Sequence, residues 1–388
     1  MKNLLKLISI VTILGGVIVT FYFLNELSNN YQINSTNPIL MPETGQVGDF
    51  IGGVVGTIFS LAGFFMLLLT LSEQTKFAKT ERFESKFFDL LKLHRENVKE
   101  MGSNELSGRK EFHNIFLQFL ECREELKPVF KRKTLNNIYE SEYLTELENK
   151  FSKTNKNIDL VKLAKLNIPY LVVFYGVGSV GKQIILDILE NKYKKVFVEN
   201  ALDYIAMKPI KESDYFKKWE EIQKKEFKHR TKITRLIKRI RNKEKIVDNE
   251  LLDISKKLSY SSNYTKFYGG HQYKLGHYFR HLFQTFTFIN QQNGINFSDK
   301  YFYAKTLRAQ LSTHEQFLLF LNSISTLGLV WDLTPEVNNS LFDFNLEKKL
   351  NNKRLISKYN IIKNIPGKEI YGIKFREYYP KVEYEFKK

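Results

Sequence analysis

Cysteine is almost absent from this chain: Cys122 is the only one in 388 residues. An intrachain disulfide and a cysteine-built zinc site are therefore excluded, which suits a reducing cytosol. Lysine and arginine are missing from residues 25–49, and Gly and Pro are missing from Ser72 to Glu100. The first absence bears on membrane topology and the second predicts an unbroken helix. Aromatic residues, by contrast, make up 14% and apolar residues 43% of the chain. That composition argues against disorder and supplies the core of one large or two small domains.

Two apolar runs stand at the N-terminus, Leu4 to Leu24 and Phe50 to Leu71. At about 1.5 Å per helical residue, each is long enough to cross a hydrocarbon core about 30 Å thick. Lys2 and Lys6 stand at the start of the first run, the loop carries only Glu26, Glu43 and Asp49, and Lys76, Lys79, Arg82 and Lys86 follow the second. The positive-inside rule then predicts a two-pass protein of the plasma (inner) membrane, with cytoplasmic N- and C-termini and a short external loop. The first run ends Phe21-Tyr22-Phe23-Leu24-Asn25-Glu26, without the small residues of a cleavage site, so a retained anchor is expected. Gly52, Gly56 and Ser60 recur every four residues in the second run, with Gly53 and Gly63 nearby. Such a stripe suits close helix packing, either between copies as a homo-oligomer or against the first span of the same chain.

Periodicity beyond the anchor predicts a mainly α protein. Residues 1–72 form the two-span anchor, 73–328 a helical, bundle-like cytoplasmic domain, and 329–388 a basic and aromatic extension packed on or following it. A helix continues from Ser72 to Glu100, and Met101-Gly102-Ser103-Asn104 reads as its end. The next runs from about Gly108 to Leu126, with Phe112, Ile115, Phe116, Phe119 and Leu120 on one face and Pro128 beyond its end. Asn136 to Phe151 is a weaker helical pattern, and Ser152 to Asn157 a polar connection.

Ile158 to Tyr175 is rich in Leu, Val and Ile and leads into Gly176-Val177-Gly178-Ser179-Val180-Gly181-Lys182. The glycines fit GxGxxG, and Gly176 through Lys182 fits GxxxxGK, with Leu171 to Tyr175 readable as the preceding strand. Gln183 stands where a P-loop needs Ser or Thr for magnesium, and Lys195 to Glu199 is a faint match to the acidic strand end of a dinucleotide site. The other reading is a glycine-rich link between two helices, with Ser179 capping the second.

The formal charge of +18 is concentrated. From Lys217 to Lys245 thirteen basic residues stand against four acidic ones, half of the net charge. Lys224, Lys225, Lys228, Arg230, Arg235, Lys238, Arg239 and Arg241 form a stripe suited to RNA or anionic lipid. Interspersed Trp219, Ile222, Phe227, Ile233, Leu236, Ile237 and Ile240 predict that it lies on a helix, and a merely solvated helix face is the other reading.

Two later stretches carry the most information. Leu275, Phe279, Leu282, Phe286 and Ile289 form an apolar stripe, and His277, Arg280, His281 and Gln284 share another face. After Asn293-Gly294, the stretch with Leu307, Leu311, His314, Leu318 and Leu321 repeats the device, which predicts an antiparallel helix pair. The strings Gly276-His277-Tyr278-Phe279-Arg280-His281-Leu282-Phe283-Gln284, Leu307-Arg308-Ala309-Gln310-Leu311-Ser312 with Glu315-Gln316, and Arg82-Phe83-Glu84-Ser85-Lys86-Phe87-Phe88-Asp89-Leu90-Leu91-Lys92-Leu93-His94 resemble phage abortive infection proteins of the AbiC type. The resemblance takes in the two-span anchor and reaches about Ser325. It implies a bacterial antiviral role, in which infection triggers loss of the host cell or arrest of phage growth. It implies no catalytic residues.

Catalysis by these residues has several forms to weigh. His277 and His281 have the i, i+4 spacing of a metal-binding helix but lack an intervening Glu and an evident third ligand, so no metal or cofactor is expected. Arg308 and His314 fit the loose Arg-x4–6-His spacing of HEPN-type ribonucleases. On one continuous helix the two would stand about 120° apart, with His314 on the apolar stripe. Arg280 with His277 or His281 is an alternative pair, the histidine acting as general acid or base and the arginine holding a phosphate. Alternatively, His277, Arg280, Gln284, Arg308 and Glu315 satisfy one another as a buried network. The expected function is phage defence by a non-enzymatic sensor or membrane effector, with an RNA-cleaving effector or a module that captures nucleic acid or a phage component through the basic stripe as the alternatives.

Overall fold

The computed structural model describes residues 2–30, 41–102, 107–152, 158–241, 244, 264–333 and 354–385. Ser103, Asn104, the connection 153–157, Lys243 and Lys245 lie outside the described residues, as do 31–40 between the two apolar runs and 334–353 of the extension. Of the described residues 75% are helical, and none lies in a strand. It divides into Met1–Phe88 and Asp89–Lys388.

The first unit holds α1 (Lys2–Asn30), α2 (Met41–Phe50), a π-turn at Ile51–Val55 and the beginning of α3 (Gly56–Glu100). Two helical stretches, Asn3–Asn29 and Thr44–Glu100, are long and apolar enough to cross a membrane. Their apolar side chains point outward: Ile18 is 66% and Phe21 73% exposed. A core helix of a soluble protein buries such residues. Ser9 and Thr20 return their hydroxyl hydrogens to Leu5 O and Gly16 O, at 2.9 and 2.7 Å, which satisfies them inside the helix. Packing within the hairpin uses Gly16 rather than the stripe around Gly52. A Cβ on Gly16 would meet Ile58 Cγ2 at 3.1 Å and the Phe59 ring at 3.2 Å, and Phe23 stacks on Phe50 at 4.0 Å. A Cβ on Gly52 would meet nothing within 4 Å among the described residues beyond its own helix backbone, and Ser60 is exposed. The Gly56 N–H reaches back five residues to Ile51 O, so the π-turn shifts the register that four-residue spacing presumes.

In the second unit α4 (Gly108–Phe130), α7 (Leu160–Tyr175) and α14 (Thr313–Ile324) pack on one another and hold the core. α7 is apolar almost all round and accordingly buried. α4 runs one turn past the expected end and contains Pro128, whose ring sits in the last turn, where it ends the helix without kinking its interior. Short α5 (Leu135–Ile138) and α6 (Ser141–Ser152) lead to α7; α8 (Ser179–Leu189), α9 (Lys195–Ile205), α10 (Phe216–Gln223) and α11 (Phe227–Arg241) follow it. The first informative stretch is α12 (Gln272–Gln291). Its expected partner is two helices, α13 (Phe297–Arg308) and α14, and α12 packs on α13. The break has a local cause. Ser312 caps α14 in a reciprocal box with Glu315, so the chain leaves the helix at Ala309 and starts another at Thr313.

The extension continues through a 3-10 turn at Leu329–Trp331 to α15 (Leu355–Lys358) and α16 (Phe375–Tyr378). Residues 354–385 are built into the helical unit: Tyr359 OH donates to Asn290 Oδ1 at 2.9 Å, and Tyr379 OH to Ser323 Oγ at 2.8 Å. Ile356, Ile361, Ile362, Ile365 and Phe375 are fully buried.

Candidate functional site

Residues from the family-like strings converge where the C-terminal turns of α3, the start of α4, α12 and the α13–α14 junction meet. The His94 ring lies 6.3 Å from the His281 ring, nearly parallel, and 5.5 Å from that of Tyr278. His94 is buried, and among the described residues neither ring nitrogen of His94 or of His281 has a hydrogen-bond partner. Desolvation, then the neighbouring His277, lowers the His281 pKa, so the neutral imidazole is favoured at neutral pH. Tyr278 OH donates to Glu315 Oε1 at 3.0 Å, and Glu315 Oε2 accepts the Ser312 N–H at 2.7 Å. Glu315 is thereby both a helix cap and a buried anchor for α12.

The other candidates are placed differently from expectation. His277 and Arg280 are exposed, and Arg280 Nε donates to the Gly276 carbonyl of its own helix at 3.0 Å. Arg308 is 6% exposed and donates through Nη1 to Tyr359 O at 3.1 Å and Asn360 O at 3.0 Å. The buried network joining His277, Arg280, Gln284, Arg308 and Glu315 is therefore not formed, because Arg308 turns to the C-terminal segment and Glu315 to Tyr278. Arg308 and His314 belong to separate helices, which removes the single-helix angle between them. His314 is not a core residue. It is half-buried, with Nε2 3.0 Å from Nδ1 of His113 on α4, the rings meeting edge to face. Desolvation and then His113 lower the His314 pKa, so one nitrogen donates and the other accepts.

His113 and Arg109 escaped the sequence reading, since both are exposed polar positions on α4 with no spacing signal. Beside the pair, Arg109 Nη2 donates to Gln310 O at 3.4 Å and Arg95 Nε to Gln310 Oε1 at 3.2 Å. The only hint was Gln310 within a family-like string. Two imidazoles flanked by arginines can move a proton near a phosphate. Among the described residues, no three His, Cys, Asp or Glu side chains cluster as a metal site requires.

A second concavity, about 420 Å³, opens on α12 beside the buried Trp331. Gly276, Arg280 and Gln284, at four-residue spacing, form its polar side, with Phe279 and Phe283 beside them.

The basic stripe divides by role. Trp219, Ile222, Ile233 and Met207 make a small core beneath α10 and α11. Arg230 donates to Tyr204 OH at 2.9 Å and Gln223 Oε1 at 2.8 Å, Lys238 pairs with Asp203 at 3.1 Å, and Arg239 with Glu244 at 3.3 Å. Lys224, Lys225, Lys228 and Arg235 are exposed, and Arg241 ends α11.

The glycine-rich motif is a link between α7 and α8, not a nucleotide loop. Leu171 to Tyr175 is helix, so the strand that a P-loop follows does not exist here. Gly178, not Ser179, occupies the cap position. The glycines serve close backbone passage. Gly176 has φ +77°, and a Cβ there would lie 2.5 Å from Gly269 O. Val177 N–H bonds Tyr268 O at 3.0 Å across the same crossing.

Residues 270–339 match the family model described as "Putative phage abortive infection protein". The match spans α12 through the 3-10 turn, the segment carrying His277, Arg280, Arg308 and Glu315. It agrees with the resemblance seen in those strings. No curated protein and no solved structure matches the chain.

Proposed function

We propose that the chain is a membrane-anchored antiphage protein acting by abortive infection, a non-enzymatic sensor or effector at the inner face of the plasma membrane. The match of residues 270–339 to the abortive infection family carries this reading. The outward apolar side chains of α1 and α3 support an anchor, and the absence of Lys and Arg from residues 25–49 supports cytoplasmic termini. The engagement of Arg308, Tyr278 and Glu315 in packing supports a structural use of the matched segment. Gly52 and Ser60, left uncovered within the hairpin, support contact with another copy in the bilayer.

Infection of cells expressing wild type, a deletion of residues 1–72, or a His277/Arg280 double substitution tests this, with plaques and membrane potential followed together. Defence with early loss of potential, abolished by the deletion, is the expected result; equal defence from the soluble part would overturn the membrane role. A reporter fused after Leu71 should read cytoplasmic. The alternative is RNA cleavage, favoured by the His113–His314 pair beside Arg109. It predicts RNA fragments during infection that disappear in His113→Ala and persist in His277→Ala.

A further inference from the structure

α9 and α11 pack side by side, and between them lies a cleft of 670 Å³. α11 turns Phe227, Thr231, Thr234 and Lys238 into it, at spacings of four and three that mark one helix face. The turn between α4 and α5 contributes Lys133, the start of α9 contributes Lys195, and α11 contributes Arg235. Two further lining cations are already paired: Lys194 with Glu140 at 2.5 Å, and Lys238 with Asp203 at 3.1 Å. Lys133, Lys195 and Arg235 have no ion pair among the described residues. They hold the cleft's net positive charge and come from three separate elements. Beyond the mouth, exposed Lys228 and Lys232 continue the row from Arg235 at helical spacing.

We propose that this cleft binds the phosphate backbone of single-stranded nucleic acid. Three unpaired cations around one concavity focus positive potential there, and phosphates displace their own counterions on binding. The volume lies within the range of built ligand sites, about 300–1,000 Å³. Phe227, half-buried on the wall, presents a ring for base stacking, and the Asn200 amide and Thr231 hydroxyl offer hydrogen bonds to sugar or base. A bilayer is flat. Exposed Lys133, Lys195 and Arg235 stand on three elements around a concave wall that also carries the Phe227 ring, and a flat headgroup plane has no base to place against that ring, so the geometry favours a strand over lipid.

The test uses the full chain in zwitterionic nanodiscs and labelled RNA and DNA strands of about twelve nucleotides, with binding read by fluorescence anisotropy across a salt series. Three phosphates on a single strand predict a slope of log K against log salt of about −2. The Lys133→Gln/Lys195→Gln/Arg235→Gln variant should lose that slope and bind at least about tenfold more weakly at low salt. Lys224→Gln/Lys225→Gln, outside the cleft, should keep it. Lys195→Glu, a charge reversal at an exposed site in the first turn of α9, should weaken binding with an unchanged melting temperature. Preference for RNA or for DNA would name the strand, and either supports the proposal. It is overturned if wild type binds neither strand at low salt, if the triple variant binds like wild type, or if only a duplex or anionic vesicles bind.

Discussion

Replacing Arg308 separates a ribonuclease from a scaffold. Its guanidinium is buried and donates to the carbonyls of Tyr359 and Asn360, at 3.1 and 3.0 Å. Asn360 has φ +52°, a left-handed turn that its own side chain also braces by accepting the Glu383 N–H at 2.9 Å. Arg308→Met keeps most of the apolar stem but leaves two acceptors without their charged donor. A hydrogen bond from a charged group contributes about 1.5–3 kcal/mol, so the loss should be about 3 kcal/mol after partial relaxation. In a large helical unit that lowers the melting temperature by roughly 6–10 °C. Arg308→Lys, which reaches one carbonyl at a time, should recover about half. Circular dichroism at 222 nm on the full chain measures the shift, and hydrogen exchange of residues 354–385 should rise in Arg308→Met while α4 stays protected. Unchanged melting and exchange together with complete loss of phage defence would refute the structural role and restore Arg308 as a candidate for chemistry.

Three further outcomes follow from the same packing. His271, His281 and His314 all have lowered pKa values, mainly through desolvation. The unfolded chain therefore takes up protons first, so their contribution is complete above the unfolded value of about 6.5 and is lost as pH falls below it; His271→Gln with His281→Phe should lessen the fall in melting temperature across that range, with His94, lowered to about 4, and His314 supplying the remainder. Tyr278→Phe strips a donor from buried Glu315 and should cost about 1–3 kcal/mol in denaturant unfolding, with no change in the fold at low temperature. Gly176→Ala should destabilise the α7–α8 link, through its φ of +77° and the Gly269 carbonyl, and calorimetry with ATP or NAD should be flat for wild type.

The helical class, the two apolar runs, the charge of the stripe and the family-like strings were legible in residue order, because each depends on local period or composition. α12 matched its apolar pattern of Leu275, Phe279, Leu282, Phe286 and Ile289, all buried. Local pattern failed at the α13–α14 break, where Leu307, Leu311 and Leu318 continue a helical period across a chain interruption. The capping box of Ser312 and Glu315 was there to read, since S-x-x-E is its signature, but the apolar period outweighed it.

What the residues decided alone is that this chain is helical, carries two runs fit for a bilayer, concentrates its positive charge, and shares strings with abortive infection proteins. Only the tertiary structure decided which polar groups meet. His113 is 201 residues from His314, and Arg308 lies 51 and 52 residues from its carbonyl partners. Helical periodicity reports a face and says nothing of what covers it; pairs so far apart in the chain are chosen by packing. The cleft between α9 and α11 has the same origin, for its cations are scattered in the sequence and adjacent only once those helices lie together.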